Sequence, residues 1–115
     1  MRFAYDREQN GDVIIYRLKG RLFDREDAKE MLEAFEKDIA NEERKFIISL
    51  KGIENLNSSG LNMLINMFTK ARNSYGELLL AELTNRIKEL LITTKLQNIF
   101  MVETTESAAM EKINS

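Results

Sequence analysis

"GIENLNSSGLNMLINMF", residues 52–68, joins a short polar segment to a nearly continuous apolar run. Asn57 and Ser58 are residue types that cap helix N-termini, because their side-chain oxygens accept hydrogen bonds from first-turn N–H groups. The apolar spacing that follows predicts a helix from Ser58 to Asn73. Directly upstream, "KFIISL" (Lys45–Leu50) is typical of a strand buried on both faces. A buried strand followed by a capped helix is the repeating unit of parallel α/β sheets.

Strand and helix patterns alternate along the rest of the chain. Asn10-Gly11 predicts a two-residue type I′ hairpin, since both central positions of that turn need positive φ. Asp24 is either the N-cap of the first helix or a partner-binding residue. The remaining expected elements are strands at Arg2–Glu8, Val13–Lys19, Glu77–Ala81 and Asn98–Val102, and helices at Arg25–Ala40, after Thr84 or Asn85, and within Thr104–Ile113.

The predicted order of elements is β-β-α-β-α-β-α-β-α. Each strand–helix–strand unit needs a right-handed crossover to a parallel neighbour, whereas the opening hairpin is antiparallel. The sequence therefore predicts an α/β fold in one domain over residues 1–115. We expect a mixed, mostly parallel sheet of about five strands, opened by the N-terminal β-hairpin and covered by about four helices.

Composition excludes several classes of function. The 115 residues include 17 Lys and Arg and 19 Asp and Glu, for a net charge of −2. These charges are mixed along the chain, so there is no basic stripe for nucleic acid and no polybasic segment for a membrane surface. The N-terminus lacks an apolar signal core and no run is long enough to span a bilayer. We expect a cytoplasmic protein.

The chain has no Cys and no His. It therefore has no thiolate nucleophile, no zinc–thiolate site and no imidazole acid–base group. A serine in this chain has no obvious general base to activate it. We expect a protein that is not an enzyme and that binds no metal and no cofactor.

The helix that follows the two serines has an unusually wide apolar arc. Leu61 lies on its expected core face, and Met63 and Met67 extend the apolar surface beyond that face. One interpretation is deep burial between the sheet and neighbouring helices. The other is partial exposure of both methionines, which are suited to an adaptable partner surface.

Ser59 falls in the first turn of this helix, where exposed N–H groups and the helix dipole favour negative charge. A phosphate there is compatible with the fold and adds about −1.5 to −2 charges to the surface. Gly60 is expected to keep the turn uncrowded, so that another molecule can approach the backbone. From composition alone, plain helix capping is the favoured interpretation, and a presented serine is the alternative.

The segment "NSSGLNML", which follows a buried strand, resembles the signature of the STAS family. The similarity is to the bacterial anti-sigma factor antagonists in particular, which carry an Asp-Ser-Ser-Gly-Leu-type motif at the start of the second helix. The similarity extends to "VIIYRLKGRL", "FIISLKGI" and "TKLQNIFMVETTESAAMEKI". Asn57 stands in place of the usual aspartate, and Lys95 stands where the family often has glycine. "GRLFDRED" is one residue longer than the common Gly-x-Leu-Asp loop, which makes Asp24 the match to the family's loop aspartate.

The resemblance implies a transcription regulator controlled by phosphorylation. Its partners would be an anti-sigma factor that is also a serine kinase, and a serine phosphatase that resets it. Ser59 would be the phosphoacceptor, with Ser58 as second choice, and the chain would be a monomer or weak dimer. The implied motif and partner-binding residues are Asn57, Ser58, Gly60, Leu61, Met63, Met67 and Asp24. The alternative is a constitutive interaction or scaffold module of the same family, without phosphorylation control.

Overall fold

Strands and helices alternate after an N-terminal hairpin in the computed structural model, which describes residues 2–115. The predicted order of elements is confirmed. The elements are β1 (Ala4–Asn10), β2 (Val13–Leu22), α1 (Lys29–Ala40), β3 (Lys45–Leu56), α2 (Ser58–Asn73), β4 (Glu77–Ala81), α3 (Asn85–Thr93), β5 (Met101–Glu103) and α4 (Glu106–Ile113). No helix within residues 2–115 combines the length and the apolar character that crossing a bilayer requires.

All five strands form one sheet in the order β1-β2-β3-β4-β5. β1 and β2 are antiparallel, and the pairs β2–β3, β3–β4 and β4–β5 are parallel. The predicted mixed, mostly parallel sheet is therefore confirmed. Because β2, β3 and β4 are parallel, their carboxyl ends point toward the same edge of the sheet. Leu22 at the end of β2 pairs with Leu56 at the end of β3, whereas β4 ends at Ala81, opposite Ser49.

Apolar side chains pack on both faces of the sheet. Helices α1, α2 and α3 contribute to the larger cluster, to which β3 supplies Phe46 and Ile48. On the opposite face, α4 packs Ala109 and Ile113 into a smaller cluster that contains Ile47 of β3. The start of β3 is thus buried on both faces, as its continuous apolar run predicts.

The hairpin differs from the prediction in its turn. Asn10 is the last residue of β1 and pairs with Val13, so the two loop residues are Gly11 and Asp12. Gly11, at φ +64°, is the only one of these two with positive φ. The predicted type I′ turn centred on Asn10-Gly11 is therefore wrong, because Asn10 continues the antiparallel ladder instead of entering the turn.

Several element boundaries also differ from the prediction: β1 spans Ala4–Asn10 rather than Arg2–Glu8, and β2 continues to Leu22 rather than ending at Lys19. α1 begins at Lys29 rather than Arg25, because residues 24–28 form turns in which Asp24 Oδ1 accepts the N–H of Asp27 at 2.9 Å. Asp24 therefore caps this turn, and the N-cap position of α1 belongs to Ala28. β3 continues to Leu56 alongside the long β2, whereas β5 is limited to the three residues that pair with the end of β4.

A buried polar cluster joins the hairpin to α1. The Asp38 carboxylate accepts hydrogen bonds from the Tyr16 hydroxyl at 2.5 Å and from Arg7 Nε at 3.0 Å. Asp38 is 5% exposed and Tyr16 is fully buried. Burial, followed by the hydrogen bond to Asp38, raises the pKa of Tyr16 well above its ordinary value. The sequence pattern alone did not indicate this cluster, because its three members lie far apart in the chain.

Candidate functional site

Asn57 determines the geometry of the first turn of α2. Its backbone is extended, and its side-chain Oδ1 accepts the N–H of Gly60 at 2.9 Å. Its carbonyl oxygen accepts the N–H of Leu61, also at 2.9 Å. Ser58 and Ser59 are then the first two residues of α2, and both are exposed. The predicted cap and the predicted start of the helix are confirmed.

Gly60 has a different role from the one expected. It is buried, and a Cβ atom at this position would lie 2.3 Å from the Leu22 carbonyl oxygen and 2.6 Å from Leu56 Cδ1. The space beside Gly60 is therefore filled by the end of β2, and the prediction that this space admits another molecule is wrong. Glycine is needed here because α2 starts in close contact with β2.

Met63 and Met67 are buried, at 2% and 0% exposure, and so is Leu61 at 2%. The prediction that the two methionines form a partner surface is therefore wrong. The wide apolar arc of α2 reflects burial against the sheet and α1. The side of α2 that remains exposed near Ser59 is polar and includes Asn62 and Asn66.

The loop between β2 and α1 lies against the start of α2. Leu22, the last residue of β2, pairs with Leu56 of β3 and touches the Gly60 position. Phe23 and Asp24 follow directly, and both are exposed. The structure thus brings Asp24 to the same edge of the sheet as Ser59. The sequence pattern did not single out Phe23, although it is an apolar residue in a mostly charged loop.

The start of α3 completes this edge of the sheet. Thr84 caps α3 by accepting the N–H of Ile87 at 3.3 Å. Arg86 Nη1 donates to Asn55 Oδ1 at 2.5 Å, two residues before the Asn57 cap. Three segments, residues 22–28, 55–60 and 84–87, therefore follow the carboxyl ends of neighbouring strands, which is where α/β sheets commonly place their functional residues.

The electrostatics of the first turn favour an added anion. Backbone N–H groups at the start of a helix carry partial positive charge, and the turn "SSGL" contributes no acidic side chain to oppose a phosphate. Among residues 2–115, no group of three His, Cys, Asp or Glu side chains is placed to hold a metal ion. The arrangement presents two exposed hydroxyl groups, with no histidine or cysteine in the chain to activate them.

Comparison with known proteins identifies the family. The family model for the STAS domain matches residues 4–109. A Thermotoga maritima structure, described as a candidate anti-sigma factor antagonist, is similar with a TM-score of 0.87 at 22% identity, over 96% of this chain and 95% of that one. The anti-sigma factor antagonist SpoIIAA in its unphosphorylated form is similar with a TM-score of 0.76 at 15% identity, over 97% and 99% of the two chains.

The phosphorylated form of SpoIIAA, a Bacillus cell fate determinant, is also similar, with a TM-score of 0.75 at 16% identity, over 96% of this chain and 99% of that one. These structural likenesses support the fold, and the family match covers the sheet, the capped helix and the first half of α4. The chain therefore belongs to the STAS domain family.

Proposed function

We propose that this protein is an anti-sigma factor antagonist of the phospho-switched type. Its unphosphorylated form binds an anti-sigma factor that is also a serine kinase, and phosphorylation of Ser59 ends this binding. The observation that carries the proposal is the exposure of Ser59 as the second residue of α2, in a turn fixed by Asn57 and Gly60. The family and the antagonists among the similar structures agree with it.

Ser59 is preferred to Ser58 because of its position relative to Gly60. In the antagonists that the sequence resembles, the phosphoacceptor directly precedes this glycine. Both serines are exposed, so accessibility does not choose between them. Ser58 is therefore the second choice and has to be tested separately.

A phosphate at Ser59 has opposite effects on the free protein and on the complex. In the free protein, the start of α2 stabilises negative charge, so the fold persists. In the complex, a charge of about −1.5 to −2 enters a surface that is desolvated by the partner. A poorly paired interfacial charge costs about 2–5 kcal/mol, which is roughly a 30- to several-thousand-fold loss of affinity.

The partner surface is made of the exposed residues around Ser59: Asn57, Ser58 and, from the neighbouring loop, Asp24. Leu61, Met63 and Met67 support this surface from the core rather than contacting the partner. A serine phosphatase would return the chain to its binding form.

The proposal is tested by incubating the protein with ATP and, in turn, each purified anti-sigma factor kinase of the organism that encodes this chain. Mass spectrometry then locates the phosphorylated peptide. We expect phosphate on Ser59 in the wild type and in Ser58→Ala, and none in Ser59→Ala. Absence of phosphate from both serines contradicts the switch. Binding of a kinase that is unchanged by phosphorylation favours the constitutive module instead.

A further inference from the structure

Phe23 is a large hydrophobic side chain that is 38% exposed. The other large hydrophobic side chains exposed in the described part of the chain are Tyr75, Ile92, Ile99, Met101 and Val102. These lie after the end of α2, at the end of α3, or in and directly before β5. Phe23 differs from them because it follows the end of β2, beside the first turn of α2.

The buried contact between β2 and α2 places Ser59 and Phe23 close to each other. A Cβ at Gly60 would lie 2.3 Å from the carbonyl oxygen of Leu22, the residue that precedes Phe23. Gly60 directly follows Ser59. Ser59 and Phe23, which are both exposed, therefore each lie one residue from the same contact.

Phe23 also lines a notch of about 380 Å³. The other lining residues are Arg2, Phe3, Arg21 and Asp27. Asp27 Oδ2 accepts the backbone N–H of Phe23 at 3.2 Å, which ties this carboxylate to the loop. The notch thus contains two guanidinium groups, two aromatic rings and a single carboxylate. This composition favours an occupant that is both apolar and acidic.

We propose that this notch is the second docking point of the partner that binds at Ser59. Its occupant is a segment of the anti-sigma factor kinase in which an apolar side chain lies beside a carboxylate. The apolar side chain packs on Phe23, and the carboxylate pairs with Arg2 and Arg21. This inference rests on the proposed function and adds the element that selects one kinase among several, since complementary charge and an apolar anchor discriminate between related partners.

The test is the affinity of the purified, Ser59-phosphorylating kinase for unphosphorylated variants, measured by isothermal titration calorimetry. Phe23→Ala should weaken binding by about 30-fold, as for a buried aromatic anchor. Ile92→Ala, which removes an exposed apolar side chain from α3, is the matched control and should change affinity by less than about 2-fold. Urea unfolding of both variants checks that the fold is intact.

A second variant tests the charged half of the notch. Arg21→Ala should weaken binding by about 5-fold at low salt and reduce the dependence of affinity on ionic strength. Unchanged affinity of both Phe23→Ala and Arg21→Ala, with Ser59 still phosphorylated in the wild type, overturns the docking inference alone. Failure of every kinase to phosphorylate Ser59 overturns the proposed function, and the inference with it.

Discussion

Replacing Gly60 by alanine tests whether the contact between α2 and β2 holds the serine-bearing turn in place. The added Cβ would lie 2.3 Å from the Leu22 carbonyl oxygen and 2.6 Å from Leu56 Cδ1. A normal carbon-to-carbonyl-oxygen contact is about 3.3 Å, so the helix start and the end of β2 must separate by about 1 Å. The Leu56 side chain can rotate, but the Leu22 carbonyl is backbone and moves only with the strand.

Two opposing effects set the magnitude. Alanine is favoured over glycine in a helix by about 1 kcal/mol, which stabilises the variant. Overpacking against the backbone of a paired strand costs about 3 kcal/mol, at the upper end of the usual range. The expected result is a loss of about 2 kcal/mol in the free energy of unfolding. For a chain of this length, that corresponds to a fall of about 8 °C in the melting temperature.

Thermal and urea unfolding, followed by circular dichroism, measure this change. Asn62→Ala is the control, because Asn62 is exposed on the same helix and its replacement should alter the free energy of unfolding by less than about 0.5 kcal/mol. If Gly60→Ala were as stable as the wild type or more stable, the close packing of α2 on Leu22 would be refuted.

Three further predictions concern the cap and two polar contacts. Asn57→Ala should lower the free energy of unfolding by about 1 kcal/mol, because the helix loses its cap. Asn57→Asp should keep the cap and raise the free energy of unfolding by about 0.3–1 kcal/mol through the helix dipole. Equal urea midpoints for the two variants would contradict the cap. Asp38→Ala should lower the free energy of unfolding by about 2–4 kcal/mol, because the buried Tyr16 hydroxyl loses its acceptor. A change below about 0.5 kcal/mol in urea unfolding would contradict a stabilising role for this contact. Arg17, which donates two hydrogen bonds to Glu106, lowers the pKa of that carboxyl. The ion pair stabilises the fold above the ordinary carboxyl pKa of about 4.3, and this stabilisation is lost as the pH falls through the lowered pKa of Glu106. Arg17→Met should therefore reduce the drop in the free energy of unfolding between about pH 5 and pH 3, as measured by urea unfolding at each pH.

Much of the fold follows from local patterns in the sequence. The continuous apolar run of β3 indicates burial on both faces, and helical spacing with an Asn cap places α2 at its observed bounds. Parallel pairing then follows from the alternation of strands and helices. These features depend on period and capping, which neighbouring residues determine.

The errors at the candidate site concern contacts between distant segments. The exposure of Met63 depends on how closely α1 and the sheet pack around α2, which periodicity does not report. The role of Gly60 depends on Leu22, a residue 38 positions earlier in the chain. The cluster of Arg7 and Asp38 likewise needs the hairpin to reach the helix. In each case the decisive partner lies in another element.

The central claim is that a phosphate on Ser59 separates this protein from its kinase partner. The most direct test is to purify the chain in unphosphorylated and fully Ser59-phosphorylated forms and to titrate each against the same kinase by calorimetry. The account predicts an affinity at least about 30-fold weaker for the phosphorylated form, with both forms equally folded. Equal affinity of the two forms would contradict it.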